Sequence, residues 1–233
     1  MRIRFIVIYF IAIMVPAFGQ WQTFDLSEAN SAIFIKQTEP ILISSVLSLG
    51  QPTLMDLSET KRFGIVISFP LGWDVTHTSI QTNPHVFPPI AEGQILVSNN
   101  LVLKGKMNLL SPKDEPVNAA GYGVEYHEQT WATSVSVGWL EGPTHLRVRT
   151  IGFSILWRRT LSEIPINFGI GHNNYRASFR NFDNEEIPSI NENSLTYFVL
   201  ATRYHLKMFD VNIQTQIHSK FVQLNIQLLR SFF

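Results

Sequence analysis

The stretch Trp131-Ala132-Thr133-Ser134-Val135-Ser136-Val137-Gly138-Trp139 decides the fold. Trp131, Thr133, Val135, Val137 and Trp139 share one parity; Ala132, Ser134, Ser136 and Gly138 share the other. Alternation at a period of two belongs to a β-strand, because successive Cβ atoms leave opposite faces of a pleated chain. The polar parity carries no charge, whereas the wet face of a soluble antiparallel sheet is normally rich in charged residues. Small, neutral side chains suit a crowded, hydrated barrel interior and leave the apolar parity outside. Tryptophan at both ends of the apolar face fits two interfacial girdles, where amphipathic rings sit at headgroup level. About nine to eleven residues is also the length of a tilted strand crossing the hydrocarbon of a bilayer.

The same rule recurs from Arg62 to the end of the chain. Phe63, Ile65, Ile67, Phe69 and Leu71 share a face in 63–71, with Arg62, Gly64 and Ser68 opposite. Over 95–109, Ile95, Val97, Leu101, Leu103, Met107 and Leu109 oppose Ser98, Asn100, Lys104, Lys106 and Asn108. Ala120, Tyr122, Val124 and Tyr126 alternate with Gly121, Gly123 and Glu125. Ile166, Phe168 and Ile170 alternate with Asn167, Gly169 and Gly171, and Phe209 to Ile217 with Asp210 to His218. Two segments break phase. In 145–158, Leu146 and Val148 oppose Arg147 and Arg149, after which Ile151, Phe153, Ile155 and Trp157 take the other parity. A bulge near Thr150–Gly152 would restore a single apolar face. In 221–233, Val222, Leu224, Ile226 and Leu228 alternate with Gln223, Asn225 and Gln227, and a slip at Leu228-Leu229 would bring Phe233 onto the apolar face. Turn signals fall at Ser111–Pro116, Glu141-Gly142-Pro143, His172-Asn173-Asn174 and the acidic stretch Asn181–Asn193.

The chain before Arg62 follows other rules. Arg2 and Arg4, the apolar run Phe5–Val15 and Ala17-Phe18-Gly19 give residues 1–19 the layout of a cleavable secretory signal peptide. The apolar run falls short of the roughly 20 residues a membrane-spanning helix needs. Residues 20–61 form an N-terminal segment, partly helical or irregular, in which Ile33, Phe34 and Ile41 are loosely spaced for one face and Pro40 would end or kink a helix. Such a segment could pack inside or beneath the strands of 62–233.

Composition excludes several functions. Eighteen Lys+Arg balance 18 Asp+Glu over 233 residues, so no basic field favours nucleic acid. The absence of cysteine excludes disulfides, thiolate metal sites and a lipidated N-terminal Cys. The seven histidines form no metal-ligand pair at helical spacing, and no nucleophile elbow or phosphate loop is present. No cofactor, metal or catalytic residue is therefore assigned. The informative polar residues are charges on the inward parity: Lys104, Lys106, Glu125, Arg147, Arg149 and Asp210. They form either a paired structural network or a selectivity-setting lining. Tyr122, Tyr126, Trp131, Trp139, Trp157 and Tyr197 read as girdle or lipid-facing aromatics.

Together, the N-terminal 1–19, the amphipathic strands and the terminal Ser231-Phe232-Phe233 resemble a Gram-negative outer-membrane β-barrel protein, distantly like fatty-acid transport barrels. The fold expected is all-β: an antiparallel transmembrane β-barrel of about 8–10 strands with a short N-terminal helical or irregular segment. The resemblance implies location in the cell outer membrane, contact with outer-membrane lipid, and handling by the secretion and barrel-assembly machinery, with Phe233 as the assembly signal. The expected role is structural, or passage or binding of a small apolar or amphipathic solute. Two alternatives are a secreted soluble lipocalin-like binding protein, in which the same apolar faces point into a core, and a membrane-embedded hydrolase.

Overall fold

A computed structural model describes residues 31–76, 85–110, 117–142, 146–179 and 189–232. One helix, α1 (Ser31–Leu49), precedes β1 (Phe63–Asp74), β2 (His85–Val86), β3 (Ile90–Ser98), β4 (Leu101–Asn108), β5 (Asn118–His127), β6 (Trp131–Glu141), β7 (Leu146–Leu161), β8 (Ile164–Phe179), β9 (Ile190–His205), β10 (Asp210–Ile217) and β11 (Phe221–Phe232). From β3 to β11 each strand pairs antiparallel with the next, and β11 returns to β1 from Phe63↔Phe232 through Asp74↔Phe221. That last pairing closes the sheet into a ten-strand barrel and removes both edges. β2 and β3 share one position beside β1, interrupted at Phe87-Pro88-Pro89, where proline offers no donor to the ladder.

The two ends of the barrel differ. At one end the turns are short: Asn99-Asn100, Glu128–Thr130, Ser162-Glu163 and Leu206–Phe209. At the other end most connections are longer, with one tight turn at His218–Lys220. Ser162 and Glu163 both take positive φ, 47° and 73°, as a two-residue turn between twisted strands demands.

The expected alternation holds, with side chains sorted by face. Ile95, Met107, Tyr122, Val135, Ile151, Phe153, Phe198 and Leu200 point outward and are exposed. Gln94, Glu125, Asn173, Gln216, Gln223, Asn225 and Gln227 point inward and are fully buried. The outward band is bounded by aromatic pairs at both ends. Tyr126–Trp131, Trp157–Phe168 and Phe63–Phe232 lie toward the short turns, with ring centroids 5.7, 6.1 and 6.0 Å apart. Tyr122–Trp139 lies toward the long connections, at 6.2 Å. Trp131 and Trp139 stand eight residues apart on β6, about 27 Å along the strand.

Several expectations need correction. Residues 95–109 are not one strand. The hairpin β3–β4 turns at Asn99-Asn100, and a register shift between Leu96 and Ser98 keeps odd-numbered residues outward on both strands, so the alternation passes through the turn unbroken. His172-Asn173-Asn174 is not a turn but the middle of β8. No bulge interrupts β7: it pairs continuously with β8 from Leu146↔Phe179 to Leu161↔Ile164. β11 does not slip, so Phe232 and Arg230 lie outward, with the guanidinium 5.2 Å from the ring centroid. The signal at 1–19, Phe233 and most of the acidic loop lie outside the described residues.

α1 runs inside the barrel. It continues through Pro40, which costs the hydrogen bond to the carbonyl four residues back. From Pro40 to Leu49 every residue is buried, whichever way it faces, because wall surrounds the helix. Leu42, Val46, Leu47 and Leu49 pack with Leu140, Leu146, Val148, Leu156, Tyr197 and Phe221 of the wall. Burying each such leucine contributes about 1.5–3 kcal/mol. Gln51–Leu57 then continues as an extended segment toward the short-turn end, where Met55 and Leu57 pack on Val66, Leu96, Val102 and Leu229.

Candidate functional site

The site the fold creates is the lumen with its plug, residues 38–57, held by two kinds of contact. The first is an amide wall against α1. Ser44 Oγ donates to Gln223 Oε1 at 3.5 Å, and Gln223 Nε2 reaches Ser48 Oγ at 3.1 Å. Behind them Gln223, Gln216 and Asn225 bond one another at 3.0–3.3 Å. The last carbonyls of a helix have no partner within it. Here Asn173 Nδ2 adds a second donor, at 3.1 Å, to the Val46 carbonyl that already accepts from Gly50 N at 2.9 Å, while Gln216 Nε2 donates to Leu47 at 3.4 Å and Tyr197 Oη to Gly50 at 3.3 Å. Gly50 admits this approach: a Cβ there would lie 2.2 Å from the Asn173 amide.

The second contact is ionic and grips the extended segment. Lys104 Nζ donates to the Thr53 carbonyl and pairs with Glu125, while Gln94 Nε2 donates to the same carbonyl at 3.2 Å. Glu125 also faces His127, whose Nδ1 is 3.4 Å from Oε1. Glu92 stands directly across from Lys106 in the β3–β4 register. Arg203 donates to the Leu54 carbonyl and pairs with Asp56, which Arg158 approaches at 3.6 Å. Every inward charge just named is therefore beside one of opposite sign, as buried charges require, although Asp56 itself is exposed at the short-turn end. Beside Gln51, Glu92, Lys104 and Lys106 the remaining space is about 10 Å³, room for no more than about one water molecule.

Of the six charges singled out in the sequence, Lys104, Lys106 and Glu125 come together in the lumen. Asp210 has the inward parity but sits at the short-turn rim, with Oδ1 2.9 Å from His205 Nδ1. Arg147 and Arg149 are on the outer face. With no bulge in β7, they share the parity of Ile151 and Phe153, opposite Glu141 and Trp139 of β6. Leu146 and Val148 take the inner parity because the plug supplies an apolar surface there. Tyr197 likewise faces inward and is buried, not a girdle residue. Glu92, Arg158, Arg203 and Asp56 were missed. Glu92 had a readable signal, since it continues the inward parity of Gln94 in β3; Asp56 belongs to the plug and had none. Among the described residues no group of His, Asp and Glu could hold a metal ion.

No family model matches the chain, and no curated protein matches it. Among solved structures, the chain is similar to an outer-membrane channel of Pseudomonas putida F1, at 9% identity and TM-score 0.43, over 78% of this chain and 100% of that one. It is also similar to the toluene transporter TbuX of Ralstonia pickettii, at 6% identity and TM-score 0.34, over 82% and 93%. The outer-membrane protein AlkL is similar at 10% identity and TM-score 0.32, over 78% and 94%. The barrel assignment rests on the closed pairing within this chain, not on these likenesses.

Proposed function

We propose that this chain is an outer-membrane β-barrel closed by its own N-terminal segment, and that it passes a small apolar or amphipathic solute when that segment yields. The observation that carries the membrane reading is the inversion of the two faces. Ile151, Met107 and Phe198 are 60, 60 and 67% exposed, while Gln216, Gln223 and Gln227 are fully buried. A soluble lipocalin-like protein would place these sets the other way round. The orientation follows from the connections: short turns face the periplasm and long ones the outside. α1 then enters from the outer end, where Glu39 meets Lys220 of the β10–β11 turn, and the chain leaves at the periplasmic end into β1. Export would use the signal at 1–19, and the assembly machinery would engage β11 and its terminal aromatics.

The test is a gel and a conductance trace. Cells expressing the full chain are fractionated, and the outer-membrane fraction is run with and without boiling. A mobility shift is expected there; recovery in the soluble fraction without one would end the membrane reading. In planar bilayers the full chain should be silent. Asn173→Ala combined with Tyr197→Ala removes two of the wall's bonds to the end of α1, those to the Val46 and Gly50 carbonyls, and should produce openings. A filled lumen also favours a purely structural role, and continued silence of the double variant would select it.

A further inference from the structure

On the outer face, above the apolar band, the register lines up Trp139 of β6, Arg149 of β7, Arg176 of β8 and Glu192 of β9. Arg149 and Arg176 are directly opposite one another and both exposed. Like charges facing each other across two strands are destabilising unless something negative lies between them. Among the described residues the nearby carboxylates are already engaged: Glu141 pairs with Arg147, and Glu192 Oε1 lies 3.3 Å from Arg176 Nη1. Among the described residues no carboxylate pairs with Arg149. Trp139, Arg147, Arg149, Arg176, Glu192 and Tyr122 line one open cleft of about 1070 Å³. Its height is set by the Tyr122–Trp139 pair, the girdle nearer the long connections.

We infer that this cleft is a docking site for the phosphates of an outer-leaflet lipid, the phosphorylated lipid A moiety of lipopolysaccharide. This rests on the membrane reading above, because the orientation places the cleft at the outer interface. The chemistry is that of a planar guanidinium fork, which matches phosphate geometry with two parallel hydrogen bonds. One phosphate between Arg149 and Arg176 would neutralise the facing pair and present its acyl chains to the outward Ile151 and Phe153. Tyr122 and Trp139 would flank the sugar at headgroup level. Glu192 opposes the site and sets its limit: it leaves Arg176 half-committed, so Arg149 carries the larger share of the binding.

The experiment uses the full chain purified in detergent, with bound lipid counted by native mass spectrometry. The probes are bisphosphorylated lipid A, fully dephosphorylated lipid A and phosphatidylglycerol. Wild type should retain bisphosphorylated lipid A roughly tenfold more tightly than the dephosphorylated form. Arg149→Gln should lose most of that preference, and Arg176→Gln a smaller part. Arg149→Lys, which keeps the charge without the fork, should fall between. Arg159→Gln, at the opposite end of β7, should bind as wild type. Equal retention of the two lipid A forms, or an Arg149→Gln variant with an unaltered preference, overturns the proposal; stronger binding of phosphatidylglycerol than of lipid A overturns the choice of lipid. The boiling shift is recorded for every variant. Its loss in wild type would be the failure of the membrane reading, not of this site.

Discussion

The two sides of the lumen wall hold the plug by different means. Against the buried part of α1, beyond the Glu39–Lys220 pair at its outer end, the wall is neutral: Asn173, Gln216 and Gln223, with the Tyr197 hydroxyl, bond its serines and last carbonyls. Against Gln51–Leu57 it is charged: Lys104 and Arg203 take the Thr53 and Leu54 carbonyls, with Glu125 and Asp56 as counter-ions. The difference follows from the backbone. A helix satisfies most of its own polar groups, so neutral donors at its end suffice. An extended segment has no internal ladder, and the Thr53 and Leu54 carbonyls take their donors from the wall. Charge-assisted bonds are about twice as strong as neutral ones, and they occur where the backbone needs them most.

If that contrast is right, the ionic side is the stronger anchor. Glu125→Ala leaves the Lys104 ammonium in the lumen without its carboxylate, a loss expected to cost about 3–5 kcal/mol. The temperature at which unboiled protein loses its compact gel mobility would fall steeply. A change below about 1 kcal/mol would mean that Thr53 and bulk water replace the carboxylate, and the contrast would collapse. The amide side should respond less. At Gly171 a Cβ would lie 2.3 Å from Tyr197 Cζ, so Gly171→Ala must push the ring away from the Gly50 carbonyl. About 1–3 kcal/mol is expected. Combining it with Tyr197→Ala should be non-additive, since both changes remove the same contact. Simple addition would show that Gly171 acts elsewhere.

Most of the wall was legible in the sequence and most of the plug was not, for one physical reason. A strand with an apolar outer face and a polar lumen face alternates visibly, as 131–139 does. Where the plug touches the wall, the inward side chains become apolar and the alternation fades. β9 carries Leu195, Tyr197, Val199 and Ala201 inward against Phe198 and Leu200 outward, and offered no period of two to read. The same substitution of plug for water at Leu146 and Val148 suggested a bulge that is absent and placed Arg147 and Arg149 inside. From Pro40 to Leu49 α1 is buried on every side, so that stretch shows no amphipathic stripe by which a surface helix is recognised. The inward charges of β4 and β5 were readable from parity alone, because apart from Gly105 and the first residue of β5, Asn118, the outward face is apolar: Leu101, Leu103 and Met107, then Ala120, Tyr122, Val124 and Tyr126.

The smallest effect concerns pH, and it tests whether the amide side is as insensitive to charge as its composition suggests. His218 lies in the turn joining β10 to β11, beside Lys220 and the Glu39 carboxylate that Lys220 binds. Partial burial first, and the Lys220 ammonium second, push the imidazole below its ordinary value, with Glu39 opposing them. The unfolded chain then takes up the proton more readily than the folded one, so protonation favours unfolding. The stability involved is complete above the ordinary histidine range near pH 6.5 and is lost as pH falls from there through the lowered folded value. His218→Gln should flatten that part of the stability-against-pH curve without moving its plateau at higher pH. Lys220→Gln removes one of the causes and also frees Glu39, so it should raise the folded value and shrink the slope. A curve unchanged by either substitution would place the acid sensitivity away from this turn, on the ionic side of the lumen. It would then extend the contrast between the two walls from strength of grip to response to protons.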